Sequence, residues 1–179
     1  DLALSDQDGP QKFFMPVLGC VEEEQTATLN QTSWQAHAEK VEVIEIQCQT
    51  LDSFAARNPL PAGPCCLKID VEGFEAAVLR GAKRFIAERR PWIVCELLPC
   101  EEFDPVTRTK KNNNRAALAV IEELGYAAFA ITPDGFFRMN ASDFTRPRNL
   151  KDFLLAPAEK IPGDAGFLAL ENVGELFAA

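Results

Sequence analysis

A single histidine, His37, and six cysteines with no pair at CxxC spacing leave little from which to build a zinc site. No apolar run approaches the roughly 18 residues that a membrane-crossing helix needs, and no charged-then-apolar leader opens the chain. Positive charge is scarce: 18 Lys and Arg stand against 27 Asp and Glu, a formal net charge of −9. That balance repels a phosphate backbone, so neither nucleic acid nor a membrane is expected as a partner. Arg89-Arg90 and Lys110-Lys111 are isolated basic pairs of the kind found at helix ends and in loops. Glycine and proline are modest, and no internal repeat is visible, so fibrous and disordered classes are set aside.

What is present suits one compact domain, because 47% of the 179 residues are hydrophobic. Cys65, Cys66 and Cys95 fall inside apolar, strand-like runs, where a free thiol behaves as a small buried hydrophobe. Reduced thiols imply a cytoplasmic compartment. The sequons at Asn30 and Asn140 are then chance matches.

Asp1–Ser5 has the character of a strand end, with Asp6-Gln7-Asp8-Gly9 as a turn into Lys12–Met15. Residues 17–40 are polar and irregular, a loop with room for one short helix. Val41–Gln49 alternates apolar and polar side chains, the period of a strand with one wet face, and Leu51–Arg57 is a short helix. Cys65–Asp70 is an apolar strand. Phe74, Ala77, Val78, Ala82, Phe85 and Ile86 recur at helical spacing up to Pro91, and Trp92–Leu98 is a second apolar strand. Two buried strands joined by a helix make a βαβ unit with parallel strands and a right-handed crossover. A polar, Asn-rich loop follows, then a helix over Ala116–Leu124 with Gly125 as its C-cap. Tyr126–Thr132 and Phe136–Met139 form a hairpin about Pro133-Asp134-Gly135, and Leu150–Leu155 is a last strand. The expected class is α/β: a mainly parallel sheet with an antiparallel C-terminal end.

In an open parallel sheet, ligands bind outside the carboxyl ends of the strands. Lys68 and Asp70, two apart, project to one face of their strand. A lysine in a buried strand must find a carboxylate, so Lys68 is expected within salt-bridge distance of Glu96 or another acid. Glu72 sits at a helix start, where capping is the plain alternative to a functional role. Asp70, at the strand tip, is the leading candidate for chemistry.

The run Leu67-Lys68-Ile69-Asp70-Val71-Glu72-Gly73-Phe74-Glu75, followed by Val78-Leu79-Arg80-Gly81-Ala82, Arg90-Pro91 and Val94-Cys95-Glu96, resembles the FkbM family of methyltransferases. Ala3-Leu4-Ser5-Asp6, Gly9, Phe13, Thr50-Leu51-Asp52, Leu124-Gly125-Tyr126 and the closing residues 149–157 agree with it. The resemblance covers residues 1–157 as a partial methyltransferase domain and leaves 158–179 as a C-terminal tail. It implies a Rossmann-like sheet of order 3-2-1-4-5-7-6, with Asp1–Ser5 ending the third strand, Cys65–Asp70 as the fourth and Trp92–Leu98 as the fifth. The first strands and their glycine-rich turn are expected upstream of Asp1, so Cys65–Asp70 should have one side open.

The resemblance further implies S-adenosylmethionine as cofactor, a cation that an acidic site tolerates. The acceptor would be a small molecule bearing a hydroxyl, on a sugar or polyketide-like metabolite. Asp70 would be the catalytic base. Ala3, Leu4, Ser5, Asp70 and Val71 would lie against the cofactor, and Glu72 and Glu96 against the substrate. Two other readings use the same residues: Asp70, Glu72 and Glu96 as Mg²⁺ ligands for phosphoryl transfer, or a non-catalytic Rossmann-like binding module.

Overall fold

The computed structural model describes residues 2–16, 41–71, 73–97, 101–103, 110–140, 151–161 and 167–168. At its centre, β4 (Cys66–Ile69) and β5 (Trp92–Glu96) pair in parallel, Cys66 opposite Trp92 and Ile69 opposite Cys95. Upstream lie β1 (Ala3–Leu4), β2 (Gly9–Pro16), β3 (Val41–Gln49) and α1 (Leu51–Arg57). A parallel pair needs a long crossover, and here α2 (Glu75–Gly81) and α3 (Lys83–Arg89) supply it.

The single helix expected over Phe74–Ile86 is therefore two. Ala82 leaves helical geometry at φ −112°, ψ 6°. At Gly81 the chain presses onto β1's end so closely that a Cβ would stand 2.0 Å from the Ser5 carbonyl oxygen. The second helix restarts against Asp52, whose carboxylate accepts from the amides of Arg84 at 3.0 Å and Phe85 at 2.7 Å. Those first-turn N–H groups have no partner inside the helix, so an outside acceptor stabilises the restart. Val78, Leu79, Ala82, Phe85 and Ile86 stay buried across the break, which is why helical spacing alone does not reveal it.

After β5 come β6 (Glu101–Phe103) and β7 (Lys110–Asn112), a small antiparallel pair inside the stretch expected to be a loop. Then follow α4 (Asn113–Glu123), β8 (Tyr126–Thr132), β9 (Gly135–Met139), β10 (Asp152–Pro157) and β11 (Phe167–Leu168). The main sheet runs β11-β9-β8-β10-β5-β4. β10 inserts between β5 and β8, antiparallel to both, so β8 runs in the direction of β4 and β5. The sheet is thus mixed rather than mainly parallel. The reason is connectivity: one βαβ unit supplies the parallel pair β4–β5, while the tight Pro133-Asp134 turn makes β8 and β9 antiparallel. As expected, β4 has β5 as its only sheet neighbour among the described residues.

β1, β3 and β2 form a separate sheet, β1 parallel and β2 antiparallel to the central β3. The alternation in Val41–Gln49 does not resolve into a wet and a dry face. Glu42 to Glu45 are all exposed, Val43 and Ile44 included, and burial begins only at Cys48 and Gln49, where β1 pairs. The expected loop over residues 17–40 lies outside the described residues, as do His37, Cys20 and Cys100.

Side chains alternate across the main sheet. Ile93, Cys95, Phe153 and Leu155 face Val78, Leu79, Ile86 and Ile121 in the larger core cluster. Trp92, Phe129, Leu154 and Ala156 pack on the opposite face with Ile161. Arg90 ties the halves together. It sits in the left-handed region (φ 45°), and its guanidinium donates to the carbonyls of Leu124 (2.7 Å) and Gly125 (3.1 Å) and to Glu159 (2.6 Å). The same group stands 4.6 Å over the Tyr126 ring, whose hydroxyl donates to the Pro91 carbonyl at 2.8 Å. No helix among the described residues is long and apolar enough to cross a membrane.

The Gly81 contact yields a test. Gly81→Ala places a methyl against backbone that has no flexible side chain to yield. Overpacking of this kind costs about 1–3 kcal/mol. Denaturant unfolding should show a loss in that range, and a variant within about 0.5 kcal/mol of the parent would mean that the Ser5–Gly81 approach is not as close as described.

Candidate functional site

Parallel strands end on the same side, and register decides which residues meet there. Lys68 lies opposite Val94 and Ile69 opposite Cys95, so Asp70 comes level with Glu96. Leu67 and Ile69 pack into the helix-side core, which sends Lys68 to the other face. Lys68 Nζ donates to Asp70 Oδ2 at 2.5 Å, and Glu96 is hydrogen-bonded to the same carboxylate. β10 adds more charge: Asp152 pairs opposite Glu96 in the ladder, and Lys151 Nζ stands 4.0 Å from Glu96 Oε1. The Lys151 carbonyl also accepts from the Leu97 amide at 2.8 Å, which holds the start of β10 against the end of β5.

The cluster grades from rim to wall. Side-chain exposure falls from 68% at Lys68 through 40% at Asp70 to 17% at Glu96. Lys68 is thus not the buried lysine expected, because β4 is the last strand of its sheet and this face of it is open. It still has its carboxylate, Asp70 rather than Glu96. Cys66, on the same face, is exposed too, whereas Cys95 is buried as expected.

The Lys68 ammonium, first, and then the Glu96 hydrogen bond hold the Asp70 carboxyl below the usual carboxylate range. Lys68 is raised in turn, chiefly by its hydrogen bond to Asp70, with Glu96 and Asp152 adding to it. Asp70 is therefore a carboxylate at neutral pH. A base held low is a weak one until its partner's acidity rises. What this group does well is accept hydrogen bonds and favour nearby positive charge. Beneath it, burial pushes the Cys95 thiol far up, and the charges of Glu75, Asp70 and Glu96 add to the effect, so this sulfur is no nucleophile.

Glu75 is the residue that sequence reasoning passes over. It reads as an ordinary first-turn acid, yet it is 4% exposed. Its Oε1 accepts from the amides of Gly73 at 3.0 Å and Val71 at 3.4 Å, both in the loop that follows Asp70. Val71 is half-buried against the core; Glu72 lies outside the described residues. Lys151 and Asp152 were not among the sequence candidates; they reach the site because β10 inserts beside β5, as the order 4-5-7-6 implies.

Ala3, Leu4 and Ser5 are not gathered to Asp70. Ser5 is buried, donates its amide to the Gln49 carbonyl, and its hydroxyl is hydrogen-bonded to the Gln11 side chain. Asp6 accepts from Arg80 at 2.9 Å. These contacts place β1's end at the C-terminal end of α2, whereas Asp70 precedes its N-terminal end, a helix rise of roughly 9 Å away. A groove of about 310 Å³ between α1 and α3, lined by Asp52, Leu60, Arg84, Phe85, Glu88 and Arg89, contains none of the candidate residues. The Mg²⁺ reading meets an obstacle in the cluster itself, because the Asp70 oxygen it requires accepts from Lys68.

With that geometry in view, comparison with protein families gives one finding: the methyltransferase FkbM domain matches residues 1–128. The chain belongs to the FkbM methyltransferase family. No curated protein and no solved structure matches it.

The ion pair generates a pH prediction. Because the folded pKa of Asp70 lies below its unfolded value, the pair stabilises the fold above the unfolded value of about 3.9, and this is lost as pH falls through the folded value. Replacing the ammonium, Lys68→Met, should raise the Asp70 midpoint toward about 3.9, read by carboxyl NMR titration. An unchanged midpoint would show that Lys68 does not hold this carboxylate.

Proposed function

We propose that the strand-end cluster of Asp70 and Glu96 is the acceptor side of an S-adenosylmethionine-dependent methyltransferase site that methylates a hydroxyl of a sugar or polyketide-like metabolite. Family membership supports methyltransferase chemistry in general. The single observation that carries the finer reading is the parallel register, which sets two carboxyl groups side by side at the carboxyl ends of neighbouring strands. That is where ligands of such sheets bind.

The residues present suit a cationic cofactor. Asp70, Glu96 and Asp152 make the rim acidic, and the Asp70 carboxylate is ionised and accessible. S-adenosylmethionine, when bound, supplies an electrophilic sulfonium methyl. The protein's task is to hold an oxygen in line with it and to take that oxygen's proton. Asp70 accepts the hydrogen bond of the acceptor hydroxyl, orients it, and receives the proton as the oxygen gains its new carbon and becomes acidic. Lys68 keeps Asp70 ionised and aimed. Glu96, deeper in the wall, binds a second hydroxyl, and a substrate-binding role for Glu72 rests on the family resemblance alone. Val71 contributes backbone beside the cofactor. A part for Ala3, Leu4 and Ser5 beside the adenine requires the ligand to extend along α2 from Asp70 toward Gly81. The free thiols Cys48, Cys65, Cys66 and Cys95 support a cytoplasmic setting.

In the full-length protein, Asp70→Asn should lower the methyl-transfer rate about 10²-fold or more while circular dichroism and melting stay near the parent. Near-normal turnover in that variant would remove Asp70 from the mechanism.

A further inference from the structure

We infer that Glu75 is the positioning residue of this site, a buried carboxylate that fixes the loop after β4 and through it the place of Asp70. The inference rests on the proposed role of Asp70, but its structural half stands apart from that role.

A carboxylate 4% exposed is costly to bury unless its oxygens are hydrogen-bonded. Glu75 is the first residue of α2, and its side chain turns back over the residues before the helix. Oε1 accepts from the Gly73 amide at 3.0 Å and from the Val71 amide at 3.4 Å. The Val71 amide belongs to the peptide that begins at Asp70. Fixing that N–H fixes the plane of the Asp70–Val71 peptide, and so the direction in which the strand delivers the Asp70 side chain. The Gly73 amide sits at φ +92°, a backbone state that only glycine adopts freely, and the second hydrogen bond holds it there.

The alternative is that Glu75 merely caps its own helix. Geometry gives it more than that role, because its Oε1 reaches beyond α2 to the loop amides of Val71 and Gly73. The surroundings give the same picture from beneath: burial and then the charges of Glu75, Asp70 and Glu96 all raise the Cys95 thiol. Glu75 and Asp70 thus act on the same buried thiol. On this reading the exposed carboxylate, Asp70, faces substrate and the buried one, Glu75, is its anchor.

The experiment takes the full-length protein and compares Glu75→Gln, Glu75→Ala, Asp70→Asn and the double variant Asp70→Asn/Glu75→Ala. Backbone amide hydrogen exchange is read at Val71 and Gly73, and methyl transfer is read in parallel. Glu75→Ala should speed exchange at these two amides about 10-fold or more with the β5 and β10 amides unchanged. It should also slow methyl transfer about 10- to 100-fold. Glu75→Gln keeps an acceptor oxygen of the same reach and should recover most of both. In the Asp70→Asn background, Glu75→Ala should cost less than about 2-fold, because a residue acting through Asp70 has nothing left to position. Unchanged exchange at Val71 and Gly73 overturns the positioning role, and so does a Glu75→Ala loss that multiplies fully with Asp70→Asn. A parent protein without methyl transfer overturns the functional reading alone. The exchange at Val71 and Gly73 then decides for or against the positioning role.

Discussion

The parallel pairing of β4 with β5 is the constraint on which the rest depends. Pairing two neighbouring strands in parallel commits the chain to a crossover, and the crossover's apolar faces bury Leu79 and Ile86 against Ile93 and Cys95. Because both strands run the same way, their carboxyl ends open at one edge. Because the register sets Ile69 against Cys95, the next residues, Asp70 and Glu96, meet there. A slip of one residue would send every side chain of β4 to the other face. It would bury Lys68 among the core residues and expel Ile69. The hydrophobic pattern that builds the core therefore also places the charges, and no separate device is needed to bring the two carboxyl groups together.

Electrostatics then decides what the edge can do. Lys68 and Glu96 act on Asp70 in the same direction, and both keep it ionised. An enzyme that needed a strong base would isolate and bury its carboxyl group. This one keeps its candidate carboxylate exposed, paired and low, while the truly buried acid, Glu75, is spent on backbone amides. The arrangement suits chemistry in which the electrophile is already activated and the protein mainly aligns the nucleophile. Methyl transfer from a sulfonium is of that kind, whereas hydrolysis by a water made nucleophilic through a raised-pKa base is not.

How much of this was legible in the sequence follows from the range of each interaction. The βαβ unit showed itself because two apolar runs and a helical period are local signals, and the shared face of Lys68 and Asp70 followed from the two-residue repeat of a strand, although Glu96 was the named partner for Lys68. The break at Ala82 was hidden, since it comes from a backbone contact with Ser5, far away in the chain, and not from any interruption of apolar spacing. The mixed character of the sheet was hidden likewise. The apolar runs read along the chain do not show it, although the strand order 4-5-7-6 implied by the resemblance already sets the last strand between the fifth and sixth, as β10 stands between β5 and β8, and that insertion is what brings Lys151 and Asp152 to the site. The exposure of Lys68 was misjudged because an apolar run suggests burial on both faces, and burial depends on what lies across the sheet. Glu75 looked like any first-turn acid, because the sequence shows no difference between a carboxylate facing water and one folded back onto a loop.

The most direct test of the central claim is a titration of the isotopically labelled protein, in its full-length form, with S-adenosylmethionine, followed by backbone amide shifts. If the β4–β5 edge is the reaction centre, saturable shifts should be largest at Asp70, Val71, Gly73 and Leu97, with the amides lining the α1–α3 groove unmoved. Saturable shifts confined to that groove, or none at the strand ends at millimolar ligand, would contradict the account.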